Sequence, residues 1–168
     1  MKNRLSEVME SDAIERLATG FVFTEGPLWH PDGYWLFVDI RRSLILRITP
    51  GSDPQVERDN SGGSNGLTFD IQGRLIMCEG DNRRLTRRER DGSISVLVDR
   101  WEGKKLNRPN DLVSRSDGTV YFTNPNGRIA LEDREIDFGG IHAVRHDGTQ
   151  FVAIDEFEYP NGLAFSPD

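Results

Sequence analysis

The chain repeats itself, and the repeat restricts the folds open to it. Glu25-Gly-Pro-Leu-Trp-His-Pro-Asp-Gly33-Tyr-Trp-Leu-Phe-Val-Asp39 aligns without gaps on Asn65-Gly-Leu-Thr-Phe-Asp-Ile-Gln-Gly73-Arg-Leu-Ile-Met-Cys-Glu79. The same frame fits Asn110-Asp-Leu-Val-Ser-Arg-Ser-Asp-Gly118-Thr-Val-Tyr-Phe-Thr-Asn124, and a fourth copy opens at Asn161-Gly-Leu-Ala-Phe-Ser-Pro-Asp168. Each complete unit reads as a polar residue, a short apolar strand, a Gly-closed turn and a strand of β-branched and aromatic residues, which is a β-hairpin. A second half follows each hairpin, at Leu44 to Ile48, Leu85 to Glu89 and Ile141 to Arg145. The latter two lead through Asp91-Gly92 and Asp147-Gly148 turns into Ile94 to Val98 and Phe151 to Ile154.

Four short strands per unit, with repeat starts 40, 45 and 51 residues apart, predict an all-β protein of the β-propeller type. The expected organisation is a single incomplete propeller domain over 1–168, with blade-like units at about 21–60, 61–104 and 105–158 and a fourth beginning at about 159. Residues 1–16 are a lead-in with a short helix, and a lead-in strand is expected near Ala18 to Phe23. Because a propeller closes with four or more blades, three units and one opening strand read as the N-terminal part of a longer protein. An open arc leaves unpaired edges, so self-association through open sheet edges is expected.

Composition narrows the partners. A length of 168 residues with 36% hydrophobic content supports one domain with a core. The formal net charge of -7 denies the chain the basic surface that phosphate binding needs, so no nucleic-acid partner is expected. The Arg-rich run Arg83, Arg84, Arg87, Arg88 and Arg90 reads as a solvated outer strand. The one cysteine, Cys78, lies in the apolar run Leu75-Ile-Met-Cys78 and is expected as a buried thiol. Met1 to Leu17 is too charged for a secretory signal, and no run approaches the roughly 20 apolar residues of a membrane span. A cytoplasmic location without a membrane partner is the expectation.

The repeat also places a polar side chain at one recurring point. Glu25, Asn65, Asn110 and Asn161 stand at the start of each innermost strand, where they would face a central channel. A second set, Asp39, Glu79 and Asn124, lies fourteen residues on. In an antiparallel hairpin the start of the first strand and the end of the second share one side, so both sets are expected at one mouth of the channel. Oxygen ligands of this kind suit Ca²⁺, Mg²⁺ or Mn²⁺, and the lack of Cys and His there argues against structural zinc. Asn65 reads as a turn-shaping residue. Glu25 reads as a metal ligand, since a carboxylate has no general advantage at that turn and breaks the repeat's own Asn preference.

Thr24-Glu-Gly-Pro-Leu-Trp29, Leu106-Asn-Arg-Pro-Asn-Asp-Leu112, Tyr121-Phe-Thr-Asn-Pro125 and Tyr159-Pro-Asn-Gly-Leu163, in that order, resemble the senescence-marker protein/gluconolactonase (regucalcin-like) family of six-bladed propellers. The resemblance runs from about Phe21 onward. It implies one divalent cation at the channel mouth, Ca²⁺ first with Zn²⁺ or Mg²⁺ as alternatives, activating a sugar lactone or related ester for hydrolysis. On it, Glu25 is similar to the family's first metal-binding carboxylate and Asn161 to its metal-binding amide. Asn110 resembles an asparagine that contacts substrate or metal, and Arg108 an arginine that holds substrate oxygens, with a surface-loop arginine as its plain alternative. The family's fourth site residue, an aspartate that ligates the metal and is assigned as the catalytic base, is expected beyond residue 168. Asn124 departs from the family's Phe-Thr-Asp-Pro, and Asn126-Gly-Arg128 from its Pro-Tyr-Gly, which bears on substrate specificity.

The remaining candidates have plainer readings. His30, His142 and His146 are expected at turns and surfaces, Ser61-Gly-Gly-Ser64 as a blade-to-blade linker, and Asp155, Glu156 and Glu158 as a solvated loop. Trp29 and Trp35 are expected between blades, while Trp101 is a candidate for lining a pocket. The resulting expectation is a metal-dependent hydrolase of the gluconolactonase type in truncated form, acting on a small-molecule lactone or ester. Its rivals are a non-catalytic propeller binding module or inactive fragment, and an organophosphate or other ester hydrolase on the same scaffold.

Overall fold

The computed structural model describes residues 13–127 and 129–166. Three four-stranded antiparallel sheets account for nearly all its regular structure. The first blade comprises β1 (Thr24–His30), β2 (Tyr34–Asp39), β3 (Leu44–Ile48) and β4 (Gln55–Arg58). The second comprises β5 (Ser64–Phe69), β6 (Leu75–Glu79), β7 (Arg84–Arg88) and β8 (Ile94–Val98). A small hairpin, β9 (Arg100–Trp101) and β10 (Lys104–Lys105), precedes the third, which comprises β11 (Leu112–Ser114), β12 (Val120–Asn124), β13 (Gly139–Val144) and β14 (Gln150–Phe157). Within each sheet the strands lie in chain order, so every connection is local.

The turns follow from their aspartates. Asp70 Oδ1 accepts from the Gln72 and Arg74 N–H groups, both at 2.9 Å. Asp91, Asp117 and Asp147 accept in the same way from Ser93, Thr119 and Thr149, each at 2.9 Å. A side-chain oxygen thus closes the turn, and the glycine beside it takes the positive φ that the return requires.

The core consists of two layers between sheets. Tyr34, Leu36, Val38 and Ile45 of the first blade meet Leu67, Leu75 and Met77 of the second. On the other face of the second blade, Ile76, Cys78, Leu85 and Val98 meet Leu112, Val120, Phe122 and Val144 of the third. Strand β6 is therefore covered on both faces, which is why Leu75-Ile-Met-Cys78 is a continuous apolar run rather than an alternating one. Cys78 is fully buried, and burial pushes its thiol well above the ordinary value.

Two expectations change. Residues 18–23 form no strand; the Asp39 carboxylate instead takes the Val22 and Phe23 N–H groups at 2.9 and 3.2 Å, so the lead-in is held by a side chain and makes no ladder. The helix expected in 1–16 falls largely outside the described residues, and 13–16 are not helical. The second change is His142, which is a core residue and not a surface one. It lies on the face of β13 that meets the second blade, and the β9–β10 hairpin brings Trp101 over it. Its ring stacks on Phe138 and Phe122 at 5.7 and 5.5 Å and meets the edge of Trp101 at 5.6 Å.

Burial of His142 disfavours its charged form and lowers its pKa from 6.5 to about 4. Between those values the unfolded chain binds the proton and the folded chain does not, so stability falls as pH falls. We expect a loss on the order of 3 kcal/mol from neutral pH down to the folded pKa. Urea titrations across that range will show it, and His142→Phe will flatten the slope above the carboxylate range.

Candidate functional site

The site is built where the inner strands β1, β5 and β11 converge. In both β1 and β5 the pairing register breaks one residue before the apolar stretch, between Glu25 and Leu28 and between Ser64 and Leu67. These bulges leave Gly26-Pro27 and Asn65-Gly66 out of their own ladders, while Glu25 stays paired with Val38. The Gly66 N–H donates to the Asn110 carbonyl at 2.7 Å, tying the second blade to the third. A Cβ on Gly26 would stand 2.1 Å from the Asn65 carbonyl oxygen, and one on Gly66 would stand 2.6 Å from the Asp111 Cα. The glycine after each ring residue therefore serves the approach of neighbouring blades, not only the local turn.

All four ring residues line one cavity of about 290 Å³. Glu25 comes from β1, Asn65 from β5, Asn110 from the segment before β11 and Asn161 from the fourth unit. Glu25 and Asn161 are exposed, Asn65 half-buried and Asn110 buried. Asn110 has its N–H bonded to the Thr123 carbonyl at 3.0 Å and its own carbonyl to Gly66, so its backbone is held from both sides.

Arg108 sits beside this cavity, in a narrow crevice shared with Asn65, Asn110 and Tyr159. Its guanidinium is engaged, with Nη2 2.5 Å from Asp81 Oδ1. Trp101 lines no part of the cavity and packs on Phe138 and His142. Trp29 and Trp35 pair edge to face across the first hairpin at 5.1 Å. A larger cleft of about 550 Å³, with Phe21, Trp35, Phe37 and Ile48, lies on the face of the first blade turned away from the second and is apolar in character.

The second polar set does not line the mouth. Asp39, Glu79 and Asn124 are fully buried, because the strand alternation turns that position sideways toward the preceding blade. Glu79 takes Nη2 of Arg58, from the first blade, and Nε of Arg84, both at 2.7 Å, with Asn82 at 2.7 Å and Thr86 at 2.8 Å. Burial pushes this carboxyl up, but the four donors outweigh it and hold the pKa below the usual 4.5. Asp39 caps the lead-in, and the Asn124 amide nitrogen lies 3.3 Å from His142 Nε2. All three are structural polar groups.

Sequence reasoning passed over Asp111. It lines the cavity, and its Oδ2 accepts the Leu163 N–H at 3.1 Å. The signal was present, since the other three copies carry Gly26, Gly66 and Gly162 at this place.

The donor chemistry fits a hard cation. Three asparagines and two carboxylates surround one small cavity, and amide and carboxylate oxygens are the ligands of Ca²⁺-type ions. Among the described residues no three His, Cys, Asp or Glu side chains gather as a metal cluster, so a cation held here would need the amides.

A partial propeller with an oxygen-lined mouth defines the class of protein. Residues 23–168 match the SMP-30/Gluconolactonase/LRE-like region, and the chain belongs to that family. It is 30% identical to a gluconolactonase of Zymomonas mobilis subsp. mobilis over 98% of its own length and 52% of that protein's. A gluconolactonase structure from Xanthomonas campestris superposes with a TM-score of 0.80 at 33% identity, over 88% of this chain and 52% of that one. Regucalcin of Agrobacterium tumefaciens, a calcium-binding protein, shares the fold with a TM-score of 0.67 at 19% identity, over 89% of this chain and 49% of that one. The chain thus spans about half the length of the relatives it matches.

Two sets of substitutions check these packing statements by urea denaturation. Gly66→Ala is expected to lose about 1–3 kcal/mol through overpacking at the blade junction. Gly33→Ala, where nothing stands within 4 Å of the added carbon, carries only the positive-φ cost, about 1–2 kcal/mol. Gly26→Ala carries both and should be the worst of the three. Glu79→Ala is expected to lose about 3 kcal/mol by leaving Arg58 and Arg84 unpaired. The contribution of Glu79 is present above its unfolded pKa near 4.5 and is lost as pH falls below that value.

Proposed function

We propose that the cavity holds one divalent cation, Ca²⁺ first with Zn²⁺ or Mg²⁺ as alternatives, and serves the hydrolysis of a sugar lactone or similar ester. The observation that supports this most is the convergence of Glu25, Asn65, Asn110 and Asn161, from four separate repeats, on one cavity. The 30% and 33% identity to gluconolactonases of two bacteria supports the substrate class.

In this reading Glu25 provides a negatively charged ligand, the amide oxygens of Asn161 and Asn110 join it without adding charge, and the family's metal-ligating aspartate is a further ligand expected beyond residue 168. Asn110 is also within reach of a substrate in the same cavity. The bound cation supplies Lewis-acid polarisation of the ester carbonyl and a lowered pKa for an attacking water. Arg108 offers substrate oxygens the guanidinium N–H groups that Asp81 does not use, so Asp81 orients it at the cost of one donor only. Asn65 holds the neighbouring strand in place, its carbonyl set against Gly26.

Calorimetric titration with Ca²⁺ tests the ligand assignment. In a full-length form, Glu25→Ala and Asn161→Ala are each expected to abolish stoichiometric binding, and retention of binding by both would overturn it. Turnover of gluconolactone against a phosphotriester, with and without chelator, separates the lactonase from a hydrolase of other esters and from a binding module.

A further inference from the structure

Neighbouring inner strands in this fold meet through backbone. At the first junction the Gly26 Cα lies against the Asn65 carbonyl, and at the second the Gly66 N–H donates to the Asn110 carbonyl at 2.7 Å. The third junction is made differently. The repeat's glycine is replaced by Asp111, whose own N–H is turned away to Thr123 Oγ1 at 3.0 Å. Its carboxylate reaches across instead, and Oδ2 accepts the Leu163 N–H at 3.1 Å. This junction is not a close backbone approach, since a Cβ on Gly162 would stand in ordinary contact, 3.7 Å from the same oxygen.

The residue so held is two places along from Asn161. Asn161 and Leu163 belong to a segment with no strand of its own among the described residues, so no ladder fixes its register. The carboxylate of Asp111 is anchored on the other side: its N–H and carbonyl are both bonded to Thr123, and its Cα packs against Gly66. A rigid acceptor therefore meets a segment that is otherwise held by the buried Pro160 and by Phe165 edge-on to Tyr121, neither of which bonds its backbone, at the edge of the cavity that both Asp111 and Leu163 line.

We propose that Asp111 is a positioning residue. By accepting the Leu163 N–H it sets the Asn161-Gly162 segment against the third blade, so that Asn161 lines the cavity together with Glu25 and Asn110. The part of this inference that concerns the cation rests on the cation reading above; the part that concerns the fourth unit does not. The role belongs to the acceptor oxygen and not to the charge, so an asparagine serves in place of the aspartate.

The test uses the full chain and three variants, Asp111→Asn, Asp111→Ala and Asp111→Gly, the last restoring the residue that the other repeats carry. Amide hydrogen exchange at Leu163 is the first measurement. Exchange in Asp111→Asn is expected within about three-fold of the parent, and at least about ten-fold faster in the Ala and Gly variants, in line with loss of one hydrogen bond. The Leu36 amide in the first core layer should exchange as in the parent, which separates local release from general unfolding. Unchanged Leu163 exchange in the Ala and Gly variants overturns the proposal, and loss in all three overturns the acceptor role. Calorimetry with Ca²⁺ alone is the second measurement, with affinity expected within about three-fold of the parent for Asn and about ten-fold weaker for Ala and Gly, on the same grounds. If the parent itself binds no Ca²⁺ the cation reading fails, while the exchange pattern still decides what Asp111 does.

Discussion

The structure depends on the covering of one sheet by two others. Strand β6 has no solvent face: Leu75 and Met77 pack toward the first blade, Ile76 and Cys78 toward the third. At roughly 25 cal/mol per Å² of apolar surface removed from water, burial on both faces is worth about twice what a one-sided sheet obtains. No single blade has this arrangement on its own. The inner strands converge because the sheets dock, and the cavity exists because the inner strands converge.

Docking at this distance brings its own chemical requirements, and they explain much of the sequence between the apolar runs. Where backbones approach closely a side chain cannot fit, hence Gly26 and Gly66. A carboxylate carried into the joint is paired there. Glu79 has four donors, one of them from the neighbouring blade. The same position in the first blade, Asp39, takes backbone N–H groups of the lead-in instead. The third copy, Asn124, carries no charge; its amide nitrogen meets His142 while its Oδ1 has no partner among the described residues.

Much of the fold was legible because the repeat is a long-range statement written in local residues. Asp-Gly turns marked the hairpins, the period marked the blades, and the ring residues were recognisable as a set that the structure brings to one cavity. The phase of the second set was not legible. Asp39, Glu79 and Asn124 sit at a strand end, and whether a strand end faces a channel or a neighbouring sheet depends on docking geometry that one strand's pattern does not contain. His142 was misread for a related reason, since its cover comes from Trp101 in a separate hairpin. The expected strand near Ala18 to Phe23 is absent, and at its end the Val22 and Phe23 amides go to the Asp39 carboxylate and not to a ladder. Asp111 was visible as a break in the glycine column, but its meaning required Leu163 to be placed beside it.

The two-sided middle sheet also ties the parts of the cavity to one another. In a stack of sheets that touch only their neighbours, stability is shared between adjacent members. The cavity takes a side chain from each of four successive units, so its lining is assembled across junctions and not within one sheet. A shift at any one junction therefore reaches the cavity as a relative displacement of two of its walls, and the spacing of the sheets sets its shape.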